Sequence, residues 1–213
     1  MTSCTKQALA KQLRLYFVCG TTDTSDLVAT VKTALRCGVT CFQFREKGKD
    51  SLYGDEKEAM ARTLHRLCRE MGVPFIINDD VDLALAIDAD GIHVGQDDLP
   101  AKQVRERLGP DKWLGVSVHT MEEVRTALPF ADYVGIGPIH ETQSKLDAGH
   151  VRGTELIQQV RYHYPLLPIV GIGGIRPEHV PSIIRDGADG VAVISAIASA
   201  PDVATATRRF ACL

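Results

Sequence analysis

Eight short apolar runs, each followed by a longer amphipathic stretch, constrain this chain more than any other feature. The runs lie at 15–18, 41–44, 74–77, 91–94, 114–118, 133–136, 168–171 and 190–194. They are almost continuously apolar and rich in β-branched residues, as strands covered on both faces are. The stretches between them, at 25–36, 53–71, 81–87, 101–108, 121–128, 154–162, 177–186 and 202–210, place apolar residues at helical spacing. Gly38, Gly72, Gly109 and Gly187 stand where helices end, and Pro177 where a first-turn proline belongs. Eight strand–helix units imply a parallel sheet with crossover helices, and eight is the number that closes a cylinder. The fold class expected is therefore α/β, a single (β/α)8 TIM barrel over residues 1–213. Residues 1–14 form an N-terminal extension, helical or loosely ordered. The competing architecture, an open doubly wound sheet, usually carries a glycine-rich turn after its first strand. Here that turn reads Cys19-Gly20-Thr21-Thr22-Asp23, which is no dinucleotide fingerprint. No linker, second domain or repeat beyond the strand–helix rhythm is evident.

Composition narrows the partners. A net charge of −3 gives no broad footprint for nucleic acid or anionic lipid, leaving room only for a local basic pocket. No run of about 18 apolar residues suggests a membrane span, and the first residues lack a signal-peptide core. The six cysteines contain no C-x-x-C pair and no zinc spacing. They read as reduced thiols, several of them buried, in a cytoplasmic protein.

In a barrel of this class the reacting groups come from the C-terminal ends of the strands and the loops that follow. The second strand ends Gln43-Phe44-Arg45-Glu46-Lys47. Alternation sends Gln43, Arg45 and Lys47 to one side, where an amide and two cations make an anion clamp. The third strand ends Asn78-Asp79-Asp80, and the fourth leads into His93-Val94-Gly95-Gln96-Asp97-Asp98. Acidic groups from adjacent strand ends can converge on Mg2+, which takes carboxylates, waters and substrate phosphate oxygens. The alternative is helix capping, by Asp79 or Asp80 after the third strand and by Asp98 before residue 101. The fifth strand ends at Ser117-Val118-His119-Thr120. His119 reads as a residue of the cap region in preference to an acid or base. Residues 137–152 form the longest non-periodic stretch, with Thr142, Ser144 and Lys145 offering two hydroxyls and a cation. The seventh strand gives Gly171-Ile172-Gly173-Gly174-Ile175, and the eighth runs into Ile194-Ser195-Ala196. Loops in these two places often cradle a phosphate between backbone N–H groups and a short helix. A diphosphate site and a phosphate cradle facing one apolar mouth suit transfer from a diphosphate to a phosphorylated acceptor.

With these motifs in order, nearly the whole chain, from Leu15 to Phe210, resembles the thiamine-phosphate synthase (thiamine-phosphate pyrophosphorylase) family. The resemblance rests on Gln43-Phe44-Arg45-Glu46-Lys47, Ile77-Asn78-Asp79, His93 to Asp98, Gly137-Pro138-Ile139 leading to Thr142-Gln143-Ser144-Lys145-Leu146-Asp147, Gly171 to Ile175, and Ile194-Ser195-Ala196-Ile197. It implies a transferase of thiamine biosynthesis that joins 4-amino-2-methyl-5-(diphosphooxymethyl)pyrimidine to a thiazole phosphate, carboxylated or not. The products are thiamine phosphate and pyrophosphate, formed by Mg2+-assisted dissociative substitution. It further implies that Gln43, Phe44, Arg45, Glu46, Lys47, Asn78, Ser117 and Lys145 bind the pyrimidine diphosphate. Arg45, Lys47, Lys145 and Ser117 would serve the chemistry, and Asp79 and Asp98 the Mg2+. Thr142, Gln143, Ser144, Gly174, Ile194 and Ser195 would hold the thiazole phosphate. The partners implied are these small molecules, with no nucleic acid and no membrane, and assembly into a homo-oligomer is left open. One departure stands out: after Gly137-Pro138-Ile139 the family usually has an aromatic residue and a proline, where this chain has His140-Glu141. Glu141-Thr142 echoes the related thiazole tautomerase, the nearest rival. A silent barrel that only senses a thiazole phosphate is the second rival.

Overall fold

The computed structural model describes residues 3–142 and 153–212. Eight parallel strands close into a barrel in sequence order, β1 to β8, with β8 paired to β1. The strands are β1 (Leu15–Cys19), β2 (Cys41–Phe44), β3 (Phe75–Asn78), β4 (Gly91–Val94), β5 (Trp113–Val118), β6 (Tyr133–Ile136), β7 (Ile169–Ile172) and β8 (Gly190–Val193). Two begin one residue later than the apolar runs predict, because Pro74 and Pro168 have no N–H for the ladder. They contribute only their carbonyls, which accept from Phe42 and Val134.

The helices are α1 (Ser3–Gln12), α2 (Leu27–Arg36), α3 (Gly54–Glu70), α4 (Val81–Ala86), α5 (Ala101–Leu108), α6 (Met121–Ala127), α7 (Glu155–His163), α8 (Val180–Arg185), α9 (Ser195–Ala198) and α10 (Val203–Ala211). The N-terminal extension takes the helical alternative: Leu9 and Leu13 are buried with the residues inside the barrel. Asp26 and Asp202 cap α2 and α10 by accepting from Ala29 and Thr205 N–H groups. The single helix expected over 177–186 is instead a 3-10 turn (Pro177–His179) followed by α8. Pro181 is tolerated only in a first turn, so the α-helix starts just before it. Cys19, Cys41 and Cys68 are buried free thiols, as the composition suggests.

Strand alternation divides the apolar residues into two layers. Outward-facing Phe17, Phe42, Phe44, Phe75 and Ile77 pack with the helices in the larger cluster. Inward-facing Tyr16, Val18, Cys41, Ile76, Tyr133, Val170 and Ala192 fill the cylinder. Glycines on inward positions make room for the larger rings. A Cβ on Gly115 would stand 2.2 Å from Tyr133 Cζ and 2.4 Å from His93 Nδ1.

At the opposite end from the mouth the structure reveals a repeat that the strand–helix rhythm hides. Ala-Asp precedes β4, β6 and β8, at Ala89-Asp90, Ala131-Asp132 and Ala188-Asp189. Each aspartate accepts the N–H of a residue at the start of the preceding strand: Phe75, Leu114 and Ile169, all at 2.8 Å. Asp132 and Asp189 are further paired with Arg105 of α5 at 2.6 Å and Arg161 of α7 at 2.7 Å. Arg105 also donates to the carbonyls of Gly109, Lys112 and Phe130. Arg161 donates to those of Pro165, Leu167 and Gly187. One guanidinium thus ties a helix, the turn after it and the next strand together.

Asp132→Ala lowers stability by about 3 kcal/mol, since it strands a half-buried guanidinium and a strand N–H. Arg107→Ala, which breaks an exposed pair with Asp82, costs less than about 1 kcal/mol. Urea midpoints of the two variants measure the contrast. Gly115→Ala overpacks the barrel interior and costs at least about 1–3 kcal/mol, read the same way.

Candidate active site

The mouth of the barrel is built from the strand ends. Within the run that closes β2, alternation divides the side chains. Gln43 is buried and Arg45 lies beside it on a small cavity inside the barrel, together with Asn78, His93 and Ser117. Lys47 reaches the next strand ends: its ammonium pairs with Asp79 and lies 3.6 Å from Asp98 Oδ1. Gln43 and Arg45 share the inner cavity, while Lys47 lies beyond the end of β2 against Asp79 and Asp98. The side chains of Phe44 and Glu46 go elsewhere. Phe44 packs outward in the core beneath the helices. Glu46 is buried and accepts from Thr21 N–H, Thr21 Oγ1–H and Leu52 N–H, so its carboxylate pins the loops after β1 and β2 to each other.

The capping alternative separates cleanly. Asp80, not Asp79, caps α4, accepting from Leu83 N–H at 3.0 Å while Lys57 Nζ pairs with it at 2.7 Å. Asp98 does not cap α5, whose N-cap is Pro100. It accepts from Gly95 N–H at 2.7 Å and so closes its own loop toward Asp79. Asp79 itself sits at φ 62°, a left-handed conformation that is uncommon for a non-glycine residue and that gathers at functional sites.

Electrostatics mark this corner. Burial, then the neighbouring Asp98, push the Asp79 carboxyl up to about 6, against the pull of Lys47. Burial also acts on Asp98, but its bonds with Asp79, Gly95 N–H and Lys47 outweigh it and hold the group below the usual carboxylate range. For Lys47 the two carboxylates outweigh desolvation and raise the ammonium above its ordinary value. Two buried polar atoms here make no hydrogen bond among the described residues: Arg45 Nε and Asp79 Oδ2, the latter in ionic contact with Lys47. One is a donor suited to an anion, the other an acceptor suited to a cation.

Two carboxylates on adjacent strand ends fit Mg2+, which keeps several waters and takes the rest of its shell from substrate phosphates. They do not make a self-sufficient cage. Among the described residues no group of three or more His, Cys, Asp or Glu side chains gathers as a metal site.

The larger cavity, about 610 Å³, opens over β5 to β8. Ser117, His119, Thr142, Gly174, Ile194 and Ser195 are on its wall. Gly173 and Gly174 have φ of 100° and 60°. The space a Cβ would need there is taken by Pro138 and by the Glu141 carbonyl, at 2.6 and 2.3 Å. The glycine pair is thus required by close packing of the loop after β6, which is also stitched by Ile139 N–H to Ile172 O and His140 N–H to Gly173 O. α9 begins at Ser195 on the far wall. His119 donates its backbone N–H to Glu123 while Thr120 is the N-cap of α6, so His119 stands just outside the cap. Its Nδ1 lies 2.8 Å from Gly137 O. His140, in the departure from the family pattern, lies against His179 with ring centroids 3.9 Å apart and planes tilted by 37°. Burial, His179 and Arg176 together depress its basicity. Gln143, Ser144 and Lys145 lie outside the described residues.

Sequence reasoning passed over one group in the barrel. Tyr16, Tyr133 and His93 form a hydrogen-bonded chain that ends on Ser117. The available signal was polar residues at inward positions of three otherwise apolar strands.

Comparison with known proteins agrees with this arrangement. Residues 15–197 match the thiamine monophosphate synthase family. A thiamine-phosphate synthase of Geobacillus thermodenitrificans is 53% identical over 95% of this chain and 92% of its own length. One of Geobacillus kaustophilus is 54% identical over 91% and 88%. The solved thiamine phosphate pyrophosphorylase of Pyrococcus furiosus superposes with a TM-score of 0.84 at 34% identity, covering 95% of both chains. With a closed eight-stranded barrel, clustered charges at its mouth and these relatives, the chain belongs to the thiamine monophosphate synthase family and is an enzyme of the thiamine-phosphate synthase type.

Proposed function

We propose that this enzyme joins the pyrimidine diphosphate to the thiazole phosphate by breaking the C–O bond before the new C–N bond forms. The observation that carries this reading is the corner where Lys47 meets Asp79 and Asp98 while Arg45 Nε has no hydrogen-bond partner among the described residues. That corner suits a diphosphate better than any group a tautomerase needs. Asp79 and Asp98 hold Mg2+, which when bound neutralises diphosphate charge. Arg45 and Lys47 supply fixed donors to the diphosphate oxygens, and Lys145 adds a third cation. As the C–O bond breaks, its electron pair goes to the departing diphosphate, and these cations stabilise the growing charge. The electron-rich aminopyrimidine spreads the positive charge left on its methylene carbon. The thiazole nitrogen lone pair then forms the C–N bond, and the charge ends on the thiazolium ring. No proton transfer is needed at any of these steps.

Gln43, Asn78 and Ser117 hold the pyrimidine from the wall of the barrel mouth, where Ser117 lines both cavities. Thr142, Gln143, Ser144, Gly174, Ile194 and Ser195 hold the thiazole phosphate over the larger one. Positioning the two substrates face to face is the rest of the protein's contribution. Among the described residues no helix is long and apolar enough to cross a membrane, and small molecules are the partners this reading requires.

Pyrophosphate release is expected to depend on both substrates and on Mg2+, and to stop when the metal is chelated. Thiazole isomerisation without the pyrimidine would instead establish the tautomerase. Ligand binding without turnover would establish the sensor. Asp98→Ala and Lys145→Ala are expected to lower kcat by at least about 100-fold, on the scale of losing a charge-stabilising donor. Their thermal midpoints stay within a few degrees of the parent. Unchanged rates in both variants would overturn the site assignment.

A further inference from the structure

A hydrogen-bonded chain runs under the cavities. Gln43 Nε2 donates to Tyr16 Oη at 2.8 Å. Tyr16 and Tyr133 share a hydroxyl–hydroxyl bond of 2.8 Å. Tyr133 Oη lies 3.2 Å from His93 Nδ1, and His93 Nε2 lies 2.9 Å from Ser117 Oγ. Both phenols are fully buried, and burial foremost raises their pKa well above the ordinary value, so both stay protonated.

Each hydroxyl has one hydrogen to give. A directed chain results when Tyr16, which accepts from Gln43, gives its own hydrogen to Tyr133. Tyr133 then gives its hydrogen to His93 Nδ1. That leaves the imidazole hydrogen on Nε2, donated to Ser117 Oγ, because the partner at one ring nitrogen sets the tautomer at the other. Ser117 has its own hydrogen left to donate into the cavity it lines. At the other end the Gln43 amide, oriented by its bond to Tyr16, has Oε1 left as an acceptor.

The seats of the rings are fitted. Gly115 and Gly135 occupy inward positions beside them, and a Cβ on either would meet the His93 imidazole, at 2.4 and 3.2 Å. The Tyr16 and Tyr133 rings meet edge to face at 6.1 Å.

We propose that Tyr16, Tyr133 and His93 are positioning residues that hold Gln43 as a hydrogen-bond acceptor and Ser117 as a hydrogen-bond donor toward the pyrimidine substrate. An edge that offers an amino donor beside a ring-nitrogen acceptor is the complement of that pair. A pyrimidinone, with a carbonyl in place of the amino group, presents an acceptor to an acceptor and is disfavoured. This inference rests on the function proposed above, but its first test needs no turnover.

In ligand-free protein labelled with 15N-histidine, long-range 1H–15N spectra report the His93 tautomer, with the signal assigned by its loss in His93→Gln. The expected result is a neutral ring protonated on Nε2 in the parent enzyme. In Tyr133→Phe, which removes only the donor to Nδ1, the expected result is a mixture of tautomers. The kinetic counterpart is a fall in kcat/KM for the pyrimidine diphosphate of about tenfold, the value of about one oriented hydrogen bond. KM for the pyrimidine diphosphate rises while KM for the thiazole phosphate stays within about twofold of the parent, a split that a loss of folded protein would not produce. Tyr16→Phe breaks the chain one link earlier and moves the same quantities in the same direction. A parent His93 protonated on Nδ1 would overturn the proposal, whether or not either variant folds. So would folded Tyr133→Phe protein with unchanged His93 signals and unchanged kcat/KM. An inactive parent enzyme showing the expected tautomer would count against the proposed reaction and not against the hydrogen-bond chain.

Discussion

The contact between Lys47 and the carboxylates of Asp79 and Asp98 is the interaction on which the rest of the mouth depends. Three strand ends, from β2, β3 and β4, must be adjacent and in register for it to form, and only a parallel sheet in sequence order brings them together. Each charge is half desolvated and would be costly alone. Together they make a corner that is stable without ligand yet still has unsatisfied atoms. The left-handed backbone of Asp79 is part of that arrangement, with its N–H bonded to His93 O at 2.9 Å. The neighbouring Asp80 takes the capping duty and so releases Asp79 for the mouth.

The barrel separates stability from function by its two ends. At the far end, charge pairs such as Arg105–Asp132 and Arg161–Asp189 are fully engaged with one another and with backbone groups. At the mouth, among the described residues, Arg45 Nε has no hydrogen-bond partner and Asp79 Oδ2 has only the ionic contact with Lys47. The same residue types serve opposite purposes because one set has its partners built in and the other awaits them. Between the ends lies the polar chain through Tyr16, Tyr133 and His93. It is affordable inside a barrel because every link in it has a partner.

Much of this was legible in the residues. Eight apolar runs predicted the closed barrel, and period-two alternation put Gln43 and Arg45 on one side. The glycines at 38, 72, 109 and 187 all take positive φ at helix ends, as their positions suggest. What was not legible depends on contacts distant in sequence. Glu46 sits between two mouth residues yet faces the loop after β1, because alternation turns it outward. Asp79 and Asp80 are chemically identical as letters, and only the backbone angle decides which one caps. The Ala-Asp repeat was visible as a dipeptide, but its meaning lay in strand N–H groups some fifteen to twenty residues earlier. Gly173 and Gly174 read as a phosphate loop, while their conformations also answer to Pro138 and Glu141 packed against them.

Manganese, a paramagnetic substitute for Mg2+, offers the most direct measurement of the central claim. Titrating it into the protein with pyrophosphate present, and reading free ion by electron paramagnetic resonance, counts the sites and their affinity. The account predicts one tight ion per chain that requires pyrophosphate and is lost in the double variant Asp79→Asn, Asp98→Asn. Tight binding that survives removal of both carboxylates, or no binding by the intact enzyme, would contradict it.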